Sequence, residues 1–160
     1  MGRDDTFYDS TFNRNGYDPY DTGDFEPNKV FVIMPFNLEG MDDVYLAIKD
    51  ECQKLGLHAC RADEFVGSGM IIDEITRLIE RAEFIVCDLT FERPNVYYEL
   101  GYAHGVGNRA QDILLIAQEG TTLHFDIAPL RVQYYASTQQ LRKIASSSLK
   151  EMKRITRKKD

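Results

Sequence analysis

The chain predicts an α/β fold, a five-stranded parallel sheet in the order 2-1-3-4-5 with helices on both faces. Three observations predict it. The strand-like runs are apolar along their whole length instead of alternating, as strands covered on both faces are. Segments with helical periodicity separate them, so strands and helices alternate. The 160 residues give one domain of ordinary size, long enough to bury a core and too short for two.

Taken in order, VFVIM (residues 30–34) is the first strand, apolar and β-branched, and Pro35 stops it. Residues 41–55 place Val44, Ile48, Cys52 and Leu55 at helical spacing, and Gly56 stands where a left-handed terminator is wanted. Residues 57–60 form a short second strand running into Arg61, Ala62 and Asp63. Ile72, Ile75, Leu78, Ile79 and Ala82 carry the helical period through residues 71–82. FIVCDL (84–89) is the third strand, followed by a helix over 94–107. ILLIA (113–117) is the fourth strand, and residues 132–135 are the fifth, after a loop containing HFDIAP. A last helix starts at Thr138. This is the flavodoxin-like (Rossmann-like) arrangement, in which ligands sit outside the carboxyl ends of the strands at the point where the order reverses. That point brings Met34, Pro35 and Phe36, at the end of the first strand and just beyond it, beside Asp88 at the end of the third.

Residues 1–28 show neither period and read as a disordered or loosely docked arm, with the α/β domain spanning 29–160. The aromatics Phe7, Tyr8, Phe12, Tyr17, Tyr20 and Phe25 are many for a spacer and suggest folding over the domain or a partner subunit. The same 28 residues hold seven acids against two bases, net −5, whereas residues 142–160 hold eight bases against two acids, net +6. Such asymmetry points to a solvated last helix, or to contact with something acidic or with the other end of a neighbouring chain. With an overall charge of −7 and no other basic stretch, a nucleic-acid polymer is a poor partner. No apolar run approaches bilayer length, and the acidic opening does not resemble a signal peptide, so the expected compartment is the cytoplasm. Cys52, Cys60 and Cys87 are odd in number and set among apolar residues, as buried thiols in a reducing compartment are; neither a disulfide frame nor a metal site is expected.

The segment PNVYYELGYAHG carries the chemistry. With about 100° per residue, Val96, Leu100 and Ala103 form an inward stripe, and Glu99 falls roughly 60° from its centre. Asn95 and Tyr102 share that flank one turn to either side. A carboxylate there either pairs with a base at the surface or is partly desolvated and serves as nucleophile or base. Tyr97, Tyr98, Tyr102 and Phe36 are candidates to stack on a base or bind a sugar, although Tyr97 and Tyr98 point too far apart to line one pocket equally. Arg61 either grips a phosphate or pairs with rim acids such as Asp63. Asp126 either reaches the pocket or caps a turn. His104, at i+5 from Glu99, is poorly placed for catalysis, and the short Gly67-Ser68-Gly69 stretch is weak evidence for an anion site.

The pattern VFVIMPF, RADE, IVCDLTFERPNVYYELGYAHG and FD before the last strand resembles the nucleoside 2-deoxyribosyltransferase superfamily, specifically a bacterial TIR-like or nucleotide-binding branch. The resemblance covers residues 29–135. It implies that Glu99 is the nucleophile that attacks the anomeric carbon of a nucleoside or nucleotide, with Asp88 bordering the same crevice and Asn95 closing the loop above it. It implies an oligomer, and no cofactor. Two departures stand out: Ile75, preceded by Asp73 and Glu74, occupies the place of the acid that protonates the leaving base, and PFN with LEGMDD replaces a glycine-rich phosphate loop. The second departure also disfavours redox electron transfer of the flavodoxin kind. The expected functions are therefore N-glycosidic cleavage or transfer on a nucleoside, nucleotide or NAD-like substrate, or nucleotide sensing by a non-catalytic module that signals by self-association.

Overall fold

A computed structural model of the chain describes residues 26–65, 72–123 and 130–158. The elements are β1 (Glu26–Ile33), α1 (Met41–Lys54), β2 (His58–Arg61), α2 (Ile72–Arg81), β3 (Ala82–Asp88), α3 (Pro94–Gly105), β4 (Ile113–Gln118), β5 (Val132–Tyr135) and α4 (Thr138–Arg157). The strands form one sheet in the order β2-β1-β3-β4-β5, every neighbouring pair parallel. This is the flavodoxin-like topology expected from the alternation of apolar strands and helices.

Side-chain alternation divides the core in two. Val30, Val32, Phe84, Val86, Leu114 and Ile116 point to the face covered by α1 and α4. Phe31, Ile33, Ile85, Cys87, Ile113 and Leu115 point to the face covered by α2 and α3. Both faces of the central strands are dry, which is why their sequences lack the polar alternation of a half-exposed sheet.

Local signals act as their chemistry requires. Gly56 adopts φ +70°, and the Gly56 and Leu57 N–H groups donate to the carbonyls of Gln53 and Cys52 at 3.0 and 2.9 Å, closing α1 with a left-handed cap. At the start of α4 the Ser137 hydroxyl accepts from the Gln140 N–H at 3.2 Å, and the Gln140 side chain accepts from the Ala136 N–H at 2.7 Å.

Several boundaries shift by one or two residues from the sequence reading, and two shifts have a cause in the pairing of β1 with β3. β1 begins at Glu26, inside the segment expected to be an arm, and the rest of that segment lies outside the described residues. Its polar start carries no apolar-run signal, yet Glu26 pairs with Ala82 of β3, and the register shifts before Val30 pairs with Phe84. Asn28, at φ +67°, sits in this bulge, where its N–H donates to the Glu83 carboxylate at 2.5 Å. α2 stops at Arg81, because Ala82 is already paired as the first residue of β3.

α4 explains much of the basic tail. Its stripe Leu141, Ala145, Leu149 and Met152 is buried in the core shared with α1. Around that stripe Arg142 pairs with Asp50 at 3.0 Å and Glu51 at 3.2 Å, Lys153 donates to the Leu55 carbonyl at 2.6 Å, and Arg157 reaches Glu83 at 3.3 Å. Several of the clustered bases therefore meet acids and a helix-end carbonyl of the same chain. Among the described residues no helix is long and apolar enough to cross a membrane.

Truncating Leu149 to alanine is expected to lower unfolding stability by about 2–5 kcal/mol through lost burial and cavity formation. Replacing its exposed neighbour Lys150 by alanine should change stability by less than about 0.5 kcal/mol. Urea denaturation of both variants, read at unchanged m-value, checks the pair.

Candidate functional site

The site grows from the carboxyl end of β3. Asp88 ends that strand and is 0% exposed. One carboxylate oxygen accepts from the Thr90 N–H at 2.8 Å and the other from the Tyr135 hydroxyl at 2.7 Å. Thr90 in turn accepts from the Gln118 N–H at 2.9 Å, and the Leu89 N–H donates to the Ile116 carbonyl at 2.8 Å. The ends of β3, β4 and β5 are thus tied together. Burial pushes the Asp88 carboxyl upward, and the bonds from Thr90 and Tyr135 oppose that shift. Beyond this knot Phe91 and Glu92 both take left-handed backbone angles, φ +68° and +46°, which cost non-glycine residues energy. The turn delivers Pro94 to the first helical position of α3, where its missing N–H is not needed.

α3 buries Val96, Leu100 and Ala103 against the sheet, as its periodicity predicts. Its adjoining flank faces α2 across a cleft of about 260 Å³. Each helix lines the cleft with one i, i+3, i+4, i+7 row: Ile72, Ile75, Thr76 and Ile79 from α2, and Asn95, Tyr98, Glu99 and Tyr102 from α3. Tyr98 is 60% exposed and stands at the rim. The Tyr102 hydroxyl donates to the Glu80 carboxylate.

Glu99 is half-buried in this mostly apolar cleft and has no hydrogen-bond or ion-pair partner among the described residues. Burial alone pushes its carboxyl up to about 7. At neutral pH it is therefore divided between the acid and the carboxylate, able to donate a proton or to attack as an anion. Cys87 of β3 lies behind it, and its thiol is pushed far up, first by burial and then by the charges of Asp88 and Glu99.

The structure thus brings Glu99, Asn95 and Tyr102 together, with Tyr98 beside them. Asp88 does not line the cleft: it shares the side-chain parity of Phe84 and Val86 and turns toward the α1 and α4 face. Its two hydrogen bonds anchor the strand ends. Met34 and Pro35 are buried on the turn after β1 and Phe36 is half-buried, none of them lining this cleft. Arg61 adopts the ion-paired alternative. Its Nε and Nη2 donate to the two Asp63 oxygens at 2.6 and 2.7 Å, Nη2 also reaches Asp42 at 2.8 Å, and the guanidinium lies 4.5 Å from the Tyr45 ring centre. The Arg61 bond holds the Asp63 carboxyl below its ordinary value.

Asp126 and the Gly67-Ser68-Gly69 stretch lie outside the described residues. His104, Asp73 and Glu74 are exposed and do not line the cleft, whereas Ile75 does. Tyr97 turns away from the cleft and donates to Glu92 at 3.0 Å. Thr76 was not singled out from sequence, although its spacing from Ile72 and Ile79 was the available signal.

Fold and site define a flavodoxin-like α/β domain with a carboxylate-bearing cleft between two helices on one face of the sheet. No family model matches the chain, and no curated protein does. Among solved structures it is similar to the CMP N-glycosidase BcmB of Clostridium botulinum, at 15% identity and a TM-score of 0.54, covering 72% of this chain and 94% of that one. It is also similar to a mutant flavo di-iron protein of Thermotoga maritima, at 14% identity and a TM-score of 0.56, covering 82% of this chain and 38% of that one. At these identities the likeness establishes the fold.

A carboxyl raised from 4.5 to about 7 on folding favours the folded state while protonated, and that advantage is lost as pH rises from 4.5 through 7. Glu99→Gln should therefore match the wild type near pH 4 and exceed it at pH 8. Solvent screening of a half-exposed group limits the gain to about 1 kcal/mol. Thermal melts of both proteins across that pH range measure it.

Proposed function

We propose that the protein cleaves or transfers across the N-glycosidic bond of a nucleoside or nucleotide, with Glu99 as nucleophile. The observation that carries this reading is the half-buried Glu99 carboxylate, without a partner among the described residues, in an apolar cleft flanked by Tyr98 and Tyr102. The resemblance of YYELGYAHG to the deoxyribosyltransferase pattern supports it, as does a fold shared with a CMP N-glycosidase.

In the proposed reaction a Glu99 oxygen forms a bond to the anomeric carbon while the bond from that carbon to the base nitrogen breaks. The base departs with the electron pair and takes a proton from water. Water or an acceptor then displaces Glu99 and regenerates the carboxylate. Positive charge develops on the sugar at the transition state, and an anion without a counter-ion is free to stabilise it in a poorly solvated cleft. Tyr98 and Tyr102 offer faces to stack on the base, and Asn95 offers an amide to a sugar hydroxyl.

One observation favours a second reading. Besides Glu99, no acid is among the described residues lining the cleft, so a leaving base finds no dedicated proton donor there. A nucleotide-binding module that signals by self-association fits that arrangement as well.

Incubation of the wild type and Glu99→Gln with nucleosides, nucleotides and NAD, with free base followed by chromatography, separates the two. The first reading expects base release by the wild type, with kcat/KM rising through pH 7, and loss of roughly a thousandfold or more in the variant. No release from any substrate, with a nucleotide raising the melting temperature of both proteins, favours the second. Neither release nor a melting shift overturns both.

A further inference from the structure

We propose that the cleft between α2 and α3 takes nucleosides whose base carries an exocyclic amino group, cytosine or adenine, in preference to their oxo counterparts, uracil or hypoxanthine. This preference rests on the reading of the cleft as a nucleoside site and names the class of base. The polarity of two hydroxyl groups, one on each helix, carries it.

A hydroxyl has one proton to give and two lone pairs with which to accept. The Tyr102 hydroxyl, on α3, gives its proton to the Glu80 carboxylate of α2. The Thr76 hydroxyl, on α2, gives its proton to the Asp73 carbonyl one turn earlier, at 2.9 Å. An ionised carboxylate and a carbonyl accept only, so neither bond runs the other way. Both residues line the cleft, and what their oxygens offer a third group there is a lone pair. Glu99, in the anionic form that attack on a sugar requires, also accepts only. Asn95 can donate from a fixed amide, but it stands two helical turns from Tyr102. No lysine, arginine or histidine is among the described residues lining the cleft, and Ile72, Ile75 and Ile79 make up the rest of the α2 row. A polar edge set against the two hydroxyls therefore meets acceptors.

An exocyclic amino group matches that pair of acceptors, because it has two hydrogens, one for each oxygen. An oxo group in its place sets lone pair against lone pair, and the ring N–H of uracil offers a single hydrogen between two carbonyl oxygens. Polar groups shut in without partners are what let a site reject an analogue far more strongly than a missing methylene does. With the sugar over Glu99 and toward Asn95, the base extends along α3 toward Tyr102. Tyr98 remains at the rim to stack on it.

The test is an NMR titration of the full chain with cytidine, uridine, adenosine and inosine, which reads binding, beside a chromatographic assay of free base, which reads turnover. Cytidine and adenosine are expected to bind roughly tenfold to a hundredfold more tightly than uridine and inosine. Both ratios should fall in Tyr102→Phe, which keeps the ring, and in Thr76→Val, which keeps the shape. In Glu80→Ala the released Tyr102 proton can turn to an oxo group, so uridine should gain where cytidine does not. A packing role alone would weaken both members of a pair alike and leave their ratio unmoved. Equal binding within the pairs, a preference for the oxo bases, or binding of none of the four overturns the proposal. So does a ratio unchanged in either Tyr102→Phe or Thr76→Val, or no gain for uridine in Glu80→Ala. A binding preference without base release would sink only the proposed reaction, and base release without the preference would sink only this inference.

Discussion

A strand with no exposed residue has no place at the edge of a sheet, and all seven residues of β3 are buried. That constraint organises the molecule. β3 must have a strand on each side and a helix layer on each face, and it pairs with β1 and β4 while α2 and α3 cover one side of it. Since α2 runs straight into β3 and α3 follows it after five residues, the two helices are neighbours by chain geometry as well as by packing. Their facing rows leave the cleft, and Glu99 enters it because the inward stripe of α3 is already occupied by Val96, Leu100 and Ala103.

The end of β3 carries a second consequence. Asp88 turns to the opposite face from the cleft and fastens the start of the β3–α3 connection to Tyr135 of β5. Two adjacent residues of that connection, Phe91 and Glu92, hold left-handed angles that only well-anchored surroundings sustain. The buried carboxylate thus contributes to the position of Glu99 through the backbone without touching the cleft. Two acids eleven residues apart divide the work: one accepts two hydrogen bonds and anchors, while the other faces a cavity and has no partner among the described residues.

Much of this was legible in the sequence, for identifiable reasons. Wholly apolar strands announce burial on both faces, and helical periodicity put Asn95, Glu99 and Tyr102 on one flank. Less was legible wherever a partner across space decides. The polar start of β1 joins the sheet because of Ala82 and Glu83, which no local pattern reveals. Whether Arg61 meets a phosphate or Asp63 and Asp42 depends on the packing of α1 against β2. The side to which Asp88 turns follows from strand parity, which would have separated it from the Glu99 cleft had the two helix layers been known. The basic tail is similar: its charge was plain, but its role in holding α4 to α1 appears only once Asp50 and Glu51 are seen beside Arg142.

The reading of the cleft depends on Glu99 being a carboxylate in apolar surroundings with no counter-ion among the described residues. The most direct measurement is its own titration, followed by carbon NMR of the side-chain carboxyl and assigned by comparison with Glu99→Gln. A midpoint near 7 is the expected result. A midpoint at or below the ordinary glutamate value of about 4.3 would show that the group is solvated or paired, and would contradict the claim.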